Sequence, residues 1–234
     1  MGGSFPGTMS RETLASSSSM DSFSVGAGLE AIRRDIDFSK GQGNGTLDVL
    51  TGYFIAGYDI LDWLTLYGTI GGSSVELMGN GGLKMSDYDE STFKWSIGLN
   101  GNLWHFDVRD PHFMAGRLSL RTLAEVEQHF AEDDREKIYW TDVSISLPAG
   151  YEVFVDHTPF TPDGVYSLLV YFGPGVSLLN GRTESAGLDC SFDADREFTV
   201  FAGFDLYVAE NLCFGCSAQY VGDTRWGASL RYHF

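Results

Sequence analysis

This chain of 234 residues has little cysteine, few basic residues and no long hydrophobic run. Its 3 Cys cannot make a disulfide framework. Cys213 and Cys216 have C-x-x-C spacing, but they sit in an alternating segment. They therefore point to opposite faces about 10 Å apart, beyond the reach of a disulfide. Cys190 falls in a polar stretch expected at the other end of the molecule, so redox and zinc chemistry are not expected. Lys and Arg number 15 against 32 Asp and Glu, for a formal net charge of −17. That balance argues against nucleic acid as a partner and fits solvated acidic loops. No apolar run approaches the roughly 20 residues of a membrane helix, an absence without force against β-strands, which alternate and leave almost no hydropathy signal.

What is present is alternation. In 224–234, Trp226, Ala228, Leu230, Tyr232 and Phe234 share one face, while Arg225, Gly227, Ser229, Arg231 and His233 share the other. Period two is the signature of a strand. The pattern recurs in about ten segments, 22–34, 46–58, 63–74, 92–104, 115–130, 137–154, 165–178, 197–208, 212–221 and 224–234. Only in 46–58 are the two faces poorly separated. The stretches 35–45, 75–90 and 179–196 read as long polar loops, and 59–62, 209–211 and 222–223 as short turns.

The apolar faces are nearly unbroken. The opposite faces carry Gly, Ser, Thr, Asn and whole charges, among them Arg121, Glu125, Asp142 and Glu152. Burying those charges in a hydrophobic core would be prohibitive. An apolar face turned to lipid and a wet or ion-paired interior reconcile the two. Aromatics near segment ends (Trp63, Trp95, Trp140, Tyr166, Tyr207, Tyr220, Trp226 and Phe234) read as interfacial girdles, and connections alternate between longer and shorter. The expected fold is all-β: a closed, antiparallel, up-and-down transmembrane barrel over 22–234, of about ten strands with eight as the alternative. Residues 1–21 are Gly- and Ser-rich without an apolar core, so they read as a mobile tail, and an export signal is expected to have preceded them.

The ending Leu230-Arg-Tyr-His-Phe234 and the alternating pattern before it resemble the small outer-membrane β-barrels of Gram-negative bacteria, the OmpA-type and opacity-protein-like group. Ser229 stands where such patterns often carry Gly. The resemblance implies the bacterial outer membrane as location. It implies the bilayer and lipopolysaccharide as surroundings, and the barrel-assembly machinery as the reader of Leu230, Tyr232 and Phe234. It does not fix a role, because this architecture hosts anchors, adhesins, narrow pores and enzymes.

The candidate site is the set of inward charges: Glu30, Lys94, Arg117, Arg121, Glu125, Glu127, Asp142, Glu152, Glu197, Asp205, Arg225 and Arg231. In so narrow a lumen they read as a structural ion-pair plug or as a gated hydrophilic conduit. His129, beside Glu125 and Glu127 and near Glu132-Asp133-Asp134, is the one histidine expected at the long-loop end, where acid/base chemistry would need it. The runs 87–90 and 132–134 lack EF-hand spacing, so neither a metal nor a cofactor is expected. The expectation is a non-enzymatic surface protein with a largely filled lumen. A narrow diffusion channel and a soluble ligand-binding barrel are the alternatives.

Overall fold

In the computed structural model the described residues are 23–39, 43–61, 63–79, 83–88, 91–108, 116–133, 136–155, 166–185, 188–194, 197–209, 211–221 and 223–234. The expected tail therefore lies outside them. The chain opens with β1 (Phe23–Phe38), β2 (Asn44–Leu61) and β3 (Leu64–Gly79). There follow β4 (Leu83–Tyr88), β5 (Ser91–Val108), β6 (Gly116–Asp133), β7 (Glu136–Ser146) and β8 (Ala149–Val155). The last are β9 (Tyr166–Ser185), β10 (Leu188–Ala194), β11 (Phe198–Ala209), β12 (Leu212–Val221) and β13 (Asp223–His233).

Three pairs of these segments are single barrel strands interrupted in the middle. β4 and β5 both pair with β3, β7 and β8 both lie between β6 and β9, and β10 and β11 both pair with β9. Pro148 explains one interruption, since proline has no N–H to give to a ladder. Ten antiparallel strands result, and β1 pairs with both β2 and β13 to close the wall. Among the described residues the ten-strand section is closed without an open edge, as a bilayer requires, while β4 pairs with β3 alone.

The strands run farther than their alternation suggests. β1 continues to Phe38, β3 to Gly79 and β9 to Ser185, and β10 lies within 179–196. The three stretches read as polar loops therefore contain paired strand. These extensions form a narrower tower. The β12–β13 hairpin closes at Val221↔Asp223; the β1–β13 ladder ends at Ile32↔Arg225, and β1 then pairs with β10 from Ile36. Ten strands become eight.

Polarity reverses at that step while the side-chain parity stays the same. On β1 the lipid-facing residues Val25, Ala27, Leu29 and Ala31 give way to Arg33, Asp35 and Asp37, while the inward series passes from Glu30 and Arg34 to Ile36 and Phe38. On β2 the inward residues of the tower are Leu47 and Val49, with Asp48 outside. Ile36, Phe38, Leu47, Val49, Val75, Leu77, Ala131, Ile138, Trp140, Leu179, Cys190 and Phe192 close the tower as one hydrophobic core.

Below the step the apolar residues face out. Leu29, Phe54, Ile97, Ile145, Phe172 and Leu230 are all exposed, as are Trp63, Trp95, Tyr220, Trp226 and Phe234, five of the expected girdle residues. Trp140 and Tyr207 are corrections, for both point inward. So is Cys190, buried in β10 among the tower's apolar residues rather than placed in a polar loop.

Inward aromatics explain why 46–58 looks unseparated. Tyr53 and Ile55 face the lumen, and Tyr53 lies over Gly28, its cross-strand partner. Tyr67 lies over Gly98, Tyr171 over Gly203 and Phe192 over Gly181 in the same way. Each glycine is the space its partner's ring occupies. A Cβ on Gly98 would stand 2.3 Å from the Tyr67 ring, so Gly98→Ala is expected to destabilise the barrel by about 1–3 kcal/mol. Adding Tyr67→Ala should recover part of that loss. Urea unfolding followed by tryptophan fluorescence measures both; strictly additive losses would show that ring and glycine do not interlock.

Candidate functional site

The lumen is layered, and register determines which charges meet. Near the closed end of the strands at Phe23 and Phe234, Asp205 lies beside Arg231, whose Nη2 donates to its Oδ1 at 2.5 Å and approaches Cys213 Sγ at 3.1 Å. Gly215 leaves room for this pair: a Cβ there would stand 2.6 Å from the Asp205 carboxylate and 2.7 Å from the guanidinium. Arg121 occupies the same layer with Glu152 and Asp205 around it, and Ser167 donates to Glu152 at 2.7 Å. Above lies an aromatic and aliphatic layer of Tyr53, Ile55 and Tyr67 on one side and Leu123, Leu169, Tyr171 and Phe201 on the other.

The upper layer holds the densest network. Glu127 and Asp142 are direct cross-strand partners on β6 and β7, an arrangement that repels unless something bridges it. Arg225 does so from β13, on the opposite wall. Its Nη2 donates to Glu127 at 2.6 Å and its Nη1 to Asp142 at 3.3 Å, and its Nε donates to Glu30. Lys94 donates to the other Glu30 oxygen and stands 3.2 Å from Glu127. Arg34 donates to Asp142 at 3.2 Å and to Ser177 Oγ at 2.8 Å, and Ser177 donates onward to Asp142 at 2.6 Å. His129 bonds to Glu127 and stacks on Trp140 at 4.3 Å. Glu125 lies beside Tyr67 and Ser96.

Of the twelve charges read from the sequence, Glu30, Lys94, Arg121, Glu125, Glu127, Asp142, Glu152, Asp205, Arg225 and Arg231 are buried in the lumen, in two separate layers. Arg117 sits at the strand end, half-buried and paired with Asp107 at 2.8 Å. Glu197 is exposed where β10 passes into β11, although its backbone carbonyl already accepts from the Ser177 N–H of β9 at 2.8 Å. Arg34 is not among the twelve, although its even number continues the inward series through Glu30 and it is buried in the upper layer. Leu230, Tyr232 and Phe234 all stand exposed on the outer face. His112, His157, Asp89, Glu90 and Asp134 lie outside the described residues.

The bonds made by Arg225 and Arg34 cross from one wall to the other, so the upper layer is a bolt across the lumen. Between it and the tower core is a cavity of about 20 Å³ lined by Arg34, Glu127, Asp142, Gln219, Arg225, Leu47 and Trp140. That is room for a single water. Among the described residues no group of His, Cys, Asp and Glu is arranged to hold a metal ion. On the outside of the tower, by contrast, Lys137 pairs with Glu132 at 2.5 Å in full solvent, and this hydrogen bond and charge hold its ammonium above the ordinary lysine range.

No family model matches the chain, and no curated protein matches it. Solved structures do. The outer membrane protease OmpT from Escherichia coli is 13% identical, over 96% of this chain and 100% of that one, with a TM-score of 0.44. The translocator domain of the autotransporter NalP from Neisseria meningitidis is 13% identical, over 91% and 88%, at 0.36. The attachment invasion locus protein Ail of Yersinia pestis is 9% identical, over 91% and 97%, at 0.25. At these values the likenesses carry no argument about role. The chain's own geometry carries the architecture: a closed ten-strand wall, a lipid-facing apolar belt and a charged interior make it a transmembrane β-barrel.

Removing Arg225 strands three buried carboxylates together. Arg225→Met is expected to cost about 3–5 kcal/mol, whereas Arg117→Met at the partly exposed strand end should cost about 1 kcal/mol or less. The temperature at which the folded, fast-migrating gel band is lost separates the two. Equal shifts would mean that the bolt contributes no more than a rim pair.

Proposed function

We propose that this protein is a surface-exposed structural or interaction protein of the bacterial outer membrane, non-enzymatic, whose lumen is sealed. One observation carries the reading: the path along the barrel axis is blocked twice by independent means. The ionic bolt of Glu30, Lys94, Glu127, Asp142 and Arg225 spans the ten-strand section, and the apolar core around Leu47, Trp140 and Phe192 fills the eight-strand tower above it. An eight-strand barrel has an interior that side chains can fill completely. A diffusion channel has no use for a dry plug, whereas a rigid tower holding its connections clear of the membrane suits a surface-exposed role. The barrel-assembly machinery is the partner that the outward Leu230, Tyr232 and Phe234 would meet.

The non-enzymatic part of the reading draws on His129. Its ring is stacked on Trp140 beneath the apolar core, bonded to Glu127 and 1% exposed, which is no place for a group that must meet substrate.

Single-channel recording of the refolded protein in planar bilayers tests the seal. The wild type should stay silent, and Arg225→Met should stay silent too, because the tower remains closed above it. Conductance is expected only when Leu47 and Phe192 are also reduced to Gly. Steady steps from the wild type would restore the channel reading.

A further inference from the structure

A polar concavity of about 610 Å³ lies on the outer surface across β6, β7, β9 and β10, walled by Gln128, Tyr139, Thr141, Asn180, Arg182 and Ser191. Register builds it. Gln128 is opposite Thr141 and Thr141 opposite Asn180; one outward row higher, Tyr139 is opposite Arg182 and Arg182 opposite Ser191. Asn180 Nδ2 donates to Asp193 at 2.9 Å, which fixes the amide at the edge of the concavity. Two amides, three hydroxyls, an aromatic ring and a guanidinium converge on one recess. Planar amides and hydroxyls match the donors and acceptors of sugar hydroxyls, and a guanidinium fork matches phosphate oxygens.

Height determines the occupant. On each of the three strands the residue one outward position below the recess faces lipid: Val126 under Gln128, Val143 under Thr141 and Leu178 under Asn180, all exposed. Two residues of strand rise about 6.6 Å, or about 5 Å along the membrane normal at the usual tilt. The interfacial zone on each side of the hydrocarbon is about 5–7 Å deep. The lower row therefore lies at headgroup height, and Tyr139, Arg182 and Ser191 stand just above it.

The geometry points to a binding site for the phosphorylated sugar headgroup of an outer-leaflet glycolipid, with Arg182 on a phosphate and Gln128, Thr141 and Asn180 on sugar hydroxyls. This rests on the outer-membrane reading above and deepens it, turning surroundings into a specific contact. The site is separate from the lumen network, since Gln128, Tyr139, Thr141, Asn180, Arg182 and Ser191 all lie at outward-facing positions.

The probe is lipopolysaccharide without its O-chain, doped into nanodiscs of phosphatidylethanolamine and phosphatidylglycerol holding the full chain. Folding is read first by heat-modifiable gel mobility; a chain that fails to fold into the discs overturns the membrane-barrel reading itself. For folded protein, native mass spectrometry after gentle detergent release should show one retained glycolipid. Asn180→Ala with Arg182→Gln should lower that retained fraction at least tenfold, while Arg33→Gln, an exposed arginine on β1, should leave it unchanged. Equal retention by the double variant and the wild type overturns the site. So does undiminished retention of glycolipid stripped of its phosphates, or binding of the free, lipid-less sugar as tight as that of the glycolipid, which would assign the recess to a soluble glycan.

Discussion

A β-strand sends alternate side chains to opposite faces, and without a bulge it cannot change which residues face which way. A barrel wall that passes from lipid into water must therefore exchange the polarity of its two faces in place. The whole structure follows from that constraint. On β1 the even-numbered residues point inward from Ser24 to Phe38, yet they change from Glu30 and Arg34 to Ile36 and Phe38 as the outward residues change from Leu29 to Asp35. Lipid makes the outside apolar and leaves the charges inside; water makes the outside polar and leaves the apolar residues inside.

The change in solvent coincides with the change in strand number, and the two support each other. Ten strands enclose enough space for arginine and lysine to reach across and pair, whereas eight enclose only what Leu, Trp and Phe side chains fill. The short β12–β13 hairpin sets the boundary, ending beside Arg225 where the bolt is drawn and freeing β1 to meet β10 above it. Buried charges of this kind are costly when one partner is missing and near neutral when all are present. The bolt thus acts more as a specification of which walls face each other than as a source of net stability.

Much of this was legible in the sequence. Alternation with charges on the polar face shows both the barrel and its strand count, because lipid exposure leaves a nearly pure apolar stripe. Parity alone points inward the ten charges that are buried, from Glu30 to Arg231, but does not single out Arg34, where the outward face turns polar at Arg33. The tower is not legible, because its strands carry alternation with the opposite sense, and Asp35, Asp37 and Glu76 then read as loop. Trp140 and Tyr207 read as girdle residues because an aromatic at a strand end looks the same whether it faces lipid or core; only parity counted from Asp142 and Asp205 separates the two.

The exchange of polarity can be measured directly along β1. Single cysteines placed at Leu29, Ala31, Arg33, Asp35 and Asp37 in a chain whose Cys190, Cys213 and Cys216 are replaced by serine would carry an environment-sensitive fluorophore in liposomes. Lipid-borne quenchers should dominate at 29 and 31, and aqueous quenchers from 33 upward, with the crossover at the step from ten strands to eight. Lipid quenching that continues through 35 and 37, or aqueous quenching already at 29, would contradict the account.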